Sequence, residues 1–140
     1  MSDKVFVDTN ILLYAHDSSK GPKHSRAASL VDELWIADNG VLSTQVLQEF
    51  CFSLRRKVQP PLSIADIRRL VENYLTWQIV VNTGNSVLEA LEIEMRYGIS
   101  FWDALIVHAA QACDAQVLYS EDLNHGQVYG SVRVVNPFRS

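Results

Sequence analysis

Short apolar runs alternate with longer amphipathic stretches along most of the chain, and this alternation restricts the fold more than any other feature. Val5-Phe6-Val7 puts three apolar side chains in a row, the pattern of a short buried strand over residues 4–8. A helix is expected over residues 10–16, followed by a loop at Asp17-Ser18-Ser19-Lys20-Gly21-Pro22. A second helix is expected over residues 23–38, with Ala27, Leu30, Val31 and Leu34 on its buried stripe and Asn39-Gly40 at its end. Val41-Leu42-Ser43 reads as the next strand. Thr44 can cap a helix that runs to about Val58 and stops before Pro60-Pro61. Ser63-Ile64-Ala65-Asp66 has the Ser-x-x-acid spacing of a helix start, and that helix should end near Leu75. A strand is expected over 78–81, a helix from Asn85 or Ser86 to Gly98, and another from Ser100 to about Cys113. Strands are expected at 116–119 and 132–135. No repeat or linker divides residues 1–140, so one domain is expected. Strands alternating with helices favour an α/β fold, with a mostly parallel central sheet between helical layers.

In such folds ligands bind beyond the carboxyl ends of the strands. Asp8 closes the first strand, and Asp122 follows the strand Val117-Leu118-Tyr119. The run before Asp8 is wholly apolar, so its carboxylate is expected at the edge of the core. A charge there must be paired or must coordinate something. The bland reading is an N-cap, since Asp, Thr and Asn all cap well, and one turn can serve both purposes. Asp103 has a bland reading too, because Ser100 and Asp103 share capping-box spacing. Yet Phe101, Trp102, Leu105 and Ile106 surround it with more apolar bulk than a surface helix start needs. Glu49 falls on the polar side of its helix with Gln45, Gln48, Ser53 and Arg56, and patterning alone makes it solvated. Asp122 lies in a turn rich in Ser, Asp, Asn and Gly, where such residues are common. Its neighbour Glu121 reads as solvated.

The order and context of these acids carry more than any one of them. Val7-Asp8-Thr9-Asn10-Ile11-Leu12, Gln48-Glu49-Phe50, Phe101-Trp102-Asp103-Ala104-Leu105-Ile106 and Ser120-Glu121-Asp122-Leu123 together resemble the motifs of the PIN-domain family. The likeness spans nearly the whole chain. It is strongest to compact bacterial and archaeal members, the VapC-type toxins of toxin–antitoxin pairs. The family's fourth motif is usually Thr-x-Asp; here Ser120 takes the Thr place and keeps the hydroxyl. The resemblance implies an acidic site of Asp8, Glu49, Asp103 and Asp122, with Thr9, Asn10 and Ser120 as nearby hydrogen-bonding residues. It implies a metal-dependent endoribonuclease using Mg2+ or Mn2+, with single-stranded or loop RNA as substrate. It further implies a cognate antitoxin protein and a homodimer. Hard divalent cations prefer oxygen ligands, which suits a carboxylate set without His or Cys.

Composition narrows the alternatives. The formal net charge of −4 counts against a large non-specific nucleic-acid binder. It counts less against a nuclease whose carboxylates are neutralised by cations. The two cysteines, Cys51 and Cys113, are far apart and form no C-x-x-C pair, so they read as small apolar residues of a reducing cytoplasm. No apolar run approaches the ~20 residues that span a bilayer, and no signal-peptide pattern opens the chain. An aspartyl-phosphate phosphatase would commonly carry Asp-x-Asp where this chain has Asp8-Thr9-Asn10. A receiver domain would want a Lys after its last long strand, and residues 132–137 have none. A catalytically inactive PIN scaffold that binds RNA or a partner stays open.

Of the remaining residues, His125 reads as a loop residue or a substrate contact, and His108 as structural. His16 and His24 flank Gly21-Pro22 and read as mobile surface. Trp35, Trp77 and Trp102 read as core rather than base-stacking platforms. Arg55-Arg56-Lys57 and Arg68-Arg69 are the basic clusters, either RNA-phosphate contacts or solvated helix faces.

Overall fold

The molecule is described by a computed structural model covering residues 3–139. Six strands form one sheet in the order β3-β2-β1-β4-β6-β5. The strands are β1 (Val5–Val7), β2 (Gly40–Ser43), β3 (Gln78–Val80), β4 (Val117–Tyr119), β5 (Val128–Tyr129) and β6 (Val132–Val135). All pairings are parallel except that of β5 with β6. The helices are α1 (Thr9–Ala15), α2 (Pro22–Ala37), α3 (Thr44–Arg56), α4 (Ile64–Tyr74), α5 (Gly84–Tyr97) and α6 (Phe101–Ala112). The α/β reading of the sequence holds. α1 packs on α2 and α3, α3 on α4, and α5 on α6. No helix among the described residues is long and apolar enough to cross a membrane.

The central strands are the ones the apolar runs marked. Phe6, Val7, Val41, Leu42 and Leu118 are buried, as expected for strands covered on both faces. Short polar residues then start the helices at the strand ends and loops. Asp8, Ser43, Ser63, Thr83 and Ser100 each occupy an N-cap and accept a backbone N–H through the side chain.

Several local expectations are corrected. Ser43, not Thr44, caps α3; the Thr44 hydroxyl instead accepts the Asn82 N–H at 3.2 Å. α5 begins at Gly84, just before the expected start at Asn85 or Ser86; Thr83 caps it, and Ser86 Oγ in turn accepts the Thr83 N–H. Two-residue β5 escaped the sequence pattern because so short a strand has no period to read. His16 and His24 are not mobile surface. His16 Nε2 lies 2.6 Å from the Tyr74 hydroxyl and the ring packs on Phe50, while His24 Nδ1 lies 2.9 Å from the Tyr14 carbonyl. Trp77 is core and Trp35 borders it, but Trp102 is 63% exposed.

Gly40 was expected to end α2, but it opens β2. α2 ends at Ala37, with Asp38 in the left-handed region. The reason for glycine is contact: a Cβ at Gly40 would stand 2.4 Å from the Trp77 ring. Trp77 cannot swing away, because it is buried edge-on against Trp35 and Tyr74. Gly40→Ala is therefore expected to destabilise the fold by about 1–3 kcal/mol, the usual penalty of overpacking. Urea unfolding would measure it, and an unchanged midpoint would refute the contact argument.

Candidate acidic site

The strand order places β1 between β2 and β4: the chain winds outward from β1 through β2 to β3 on one side, then crosses back to β4 on the other. The carboxyl ends of β1 and β4 therefore flank a switch point, the usual place for a ligand crevice. Val7 pairs with Tyr119, which sends Asp8 and Ser120 out of the sheet side by side. The Asp8 N–H donates to the Tyr119 carbonyl at 2.9 Å and fixes that exit.

Asp8 is only 4% exposed. Its Oδ1 accepts the Thr9 N–H at 2.7 Å, and its Oδ2 accepts the Ser120 hydroxyl at 2.7 Å. The Thr9 hydroxyl donates to Glu49 Oε1 at 2.7 Å. The Ser120 Oγ accepts the Asp122 N–H at 3.2 Å. A continuous path thus runs Glu49, Thr9, Asp8, Ser120, Asp122. Two small hydroxyl residues tie three acids from three elements into one unit.

Electrostatics places Asp103 in the same field. Burial pushes the Asp8 carboxyl from 3.8 up to about 7; the Ser120 and Thr9 bonds oppose this, and the charges of Asp122 and Glu49 add to it. Half-buried Asp103 is also raised, chiefly by desolvation, against the Ser100 hydroxyl and with the same two carboxylates pushing upward. No basic side chain acts on either acid among these influences. Asp103 also sits at the third position of α6, where the Ser100 hydroxyl accepts its N–H, so the capping reading was right about the local bond. The acids are not a finished metal cage. Among the described residues, no three His, Cys, Asp or Glu side chains close into a metal-binding group.

A cavity of about 480 Å³ opens at the site, and Thr9, Asn10, Glu49 and Asp122 help line it. Asp8 and Asp103 do not line it. The Asn10 Oδ1 accepts the Glu121 N–H at 3.3 Å, and its buried Nδ2 has no partner. Glu121 was expected to be solvated, but its carboxylate accepts the Tyr14 hydroxyl at 2.6 Å and pairs with Lys23. That pairing turns its charge away from Asp122 and pins the loop after β4 to α1 and α2. Gln45 and Ser53 were placed on the polar face of α3, but both are buried. Gln45 Nε2 reaches the Trp102 carbonyl at 3.3 Å, which joins α3 to the start of α6. A helical wheel could not reveal this, because it records only one helix and not the neighbour packed against it.

The PIN domain family matches residues 5–130, and the chain belongs to that family. A comparison with curated proteins gives no match. Among solved structures, the chain resembles VapC20 of Mycobacterium tuberculosis, described as a sarcin-ricin loop cleaving toxin. That match has 21% identity and a TM-score of 0.66, covering 85% of this chain and 90% of the other. A toxin–antitoxin complex from Klebsiella pneumoniae matches with 17% identity and a TM-score of 0.71, over 98% of this chain and 100% of the other. DNA-bound VapBC from Salmonella typhimurium matches with 16% identity and a TM-score of 0.63, over 96% and 97%. At these identities the likeness is one of fold.

The raised Asp8 carboxyl has a consequence for stability without metal. Between 3.8 and about 7 the folded protein keeps a proton that the unfolded chain releases. Stability should therefore fall as pH rises through that window, by up to about 4 kcal/mol. Thermal melts in chelator from pH 4 to pH 8 should show the fall, and Asp8→Asn should remove most of it. A flat wild-type profile would contradict the assignment.

Proposed function

We propose that this protein is a metal-dependent endoribonuclease that hydrolyses RNA phosphodiester bonds. The observation that carries the reading is Asp8: a buried carboxylate at the switch point, in the field of Glu49 and Asp122, with no basic side chain among the described residues to compensate it. Such an arrangement costs the fold stability unless a cation joins it. The donors offered are carboxylate oxygens, which fit Mg2+ or Mn2+ rather than a softer metal. Asp8, Glu49 and Asp103 would hold one ion, and Asp122 a second ion or a water. A divalent cation there would neutralise phosphate oxygens and acidify water at neutral pH.

The chain's own groups prepare that task. Ser120 and Thr9 hold the two oxygens of Asp8 apart in fixed directions, and Thr9 also orients Glu49. Each oxygen keeps further lone pairs after accepting one bond. Asn10 lines the cavity with Glu49, and its Oδ1 accepts the Glu121 N–H, which fixes the loop that carries Asp122. The Tyr14 and Lys23 contacts of Glu121 keep a further negative charge away from that space.

Family membership, and the toxin–antitoxin proteins that share the fold, extend the proposal to a role. The chain acts as the toxin of a toxin–antitoxin pair, works in the cytoplasm as a homodimer and is restrained by a cognate antitoxin protein.

Cleavage of single-stranded RNA should require Mg2+ or Mn2+ and stop in chelator. Asp8→Asn and Asp103→Asn should each lower the rate at least about a hundredfold with the fold retained. Gel analysis of a labelled RNA, with circular dichroism as the folding control, checks both. Full activity of both variants in Mg2+ would refute the site. RNA that is bound but never cut in any metal would favour the non-catalytic scaffold.

A further inference from the structure

One face of α3 leads from Glu49 to groups that the acidic centre does not use. Glu49, Phe52 and Arg56 follow helical spacing and fall on that face, while Ser53 beside them is buried. Phe52 interrupts this otherwise polar face and is 57% exposed. The Arg56 guanidinium lies 4.6 Å from its ring centroid. Lys57 ends the helix, and Phe52 and Lys57 line the same cavity as Glu49 and Asp122. Neither Arg56 nor Lys57 forms a salt bridge among the described residues.

The juxtaposition is unusual for a merely solvated face. Arg56 lies against the Phe52 ring, which still stays more than half exposed, and Lys57 lines the same cavity as two carboxylates. An unpaired nucleotide answers all three features. Its base can stack on a ring, its phosphate can meet a cation, and its chain can lead the next phosphate toward the acids. A base inside a duplex is already stacked and cannot use the ring. We propose that Phe52 is a stacking platform for one unpaired base, and that Lys57, with Arg56, holds a phosphate beside it. The wall built by α3 would thereby select single-stranded nucleic acid and set its register over the acidic centre. This rests on the nuclease reading only for the position of the scissile bond.

Fluorescence anisotropy tests it without turnover. The probes are a labelled single-stranded RNA of about ten nucleotides and the same strand in a duplex, each in chelator and in Ca2+. The single strand should bind more tightly than the duplex. Phe52→Ala should weaken single-strand binding on the order of tenfold, and Phe52→Trp should retain it. Lys57→Ala should weaken binding across sequences and lower the salt slope by roughly 0.7, and Lys57→Arg should restore it. Arg69→Ala, on α4 and paired with Asp66, should change nothing. These positions are on the surface, so melting temperatures should move by a few degrees at most.

Wild-type affinity in both Phe52→Ala and Lys57→Ala would overturn the proposal and mark this face as a protein-docking surface instead. So would Phe52→Trp binding as weakly as Phe52→Ala, or no wild-type binding in either buffer. Phe52-dependent binding of RNA that is never cut would leave this subsite standing and overturn the nuclease reading. Metal-dependent cleavage with Phe52-independent binding would do the reverse.

Discussion

One buried carboxylate, Asp8, sets the terms for the rest of this molecule. It lies at the end of the central strand, almost out of contact with water, with hydrogen-bond donors but no counter-charge from a basic side chain. Two donors satisfy part of its demand, and the remainder is left over. A fold selected for stability alone would place an amide or an apolar residue there. The sheet instead brings Ser120 level with Asp8 by parallel pairing, and α1 begins on the Asp8 side chain itself. The same atoms cap a helix and define the acidic centre, so the two roles are not competing explanations.

The surroundings of that carboxylate manage charge in a graded way. Thr9 and Ser120 tie in Glu49 and Asp122 through neutral hydroxyls, which fixes the acids without neutralising them. Farther out, Glu121 is paired with Lys23 and accepts the Tyr14 hydroxyl, although it is the immediate neighbour of Asp122. The loop after β4 accounts for the difference: Asn10 Oδ1 accepts the Glu121 N–H and Ser120 Oγ accepts the Asp122 N–H, so the two neighbours are held by different partners. Negative charge is thus retained where a cation could use it and quenched one residue away. Of the basic side chains at the end of α3, Lys57 lines the cavity that Glu49 and Asp122 also line, without a salt bridge to either among the described residues.

The layout was legible in the sequence to different degrees. Apolar runs such as Val5-Phe6-Val7 announced the buried strands because a strand covered on both faces admits almost nothing else. Helix starts at Ser63 and Ser100 were legible because capping is local chemistry. Gly40 was misjudged because its reason is the Trp77 ring, 37 positions further along the chain and invisible to any local pattern. Glu49 read as a solvated residue on its own helix, since periodicity sees one face of one helix and not the Thr9 hydroxyl that meets it.

What the sequence determined by itself was the alternation of elements, the apolar strands and the presence of acids at their ends. These follow from local propensities and from the burial that each short segment demands. Only the tertiary structure decided that Glu49, Asp8 and Asp122 form one hydrogen-bonded unit, that Glu121 turns away from it, and that Phe52 and Lys57 face the same space. The physical reason is that strand order and register, which no single segment encodes, set which distant side chains share a low-dielectric neighbourhood.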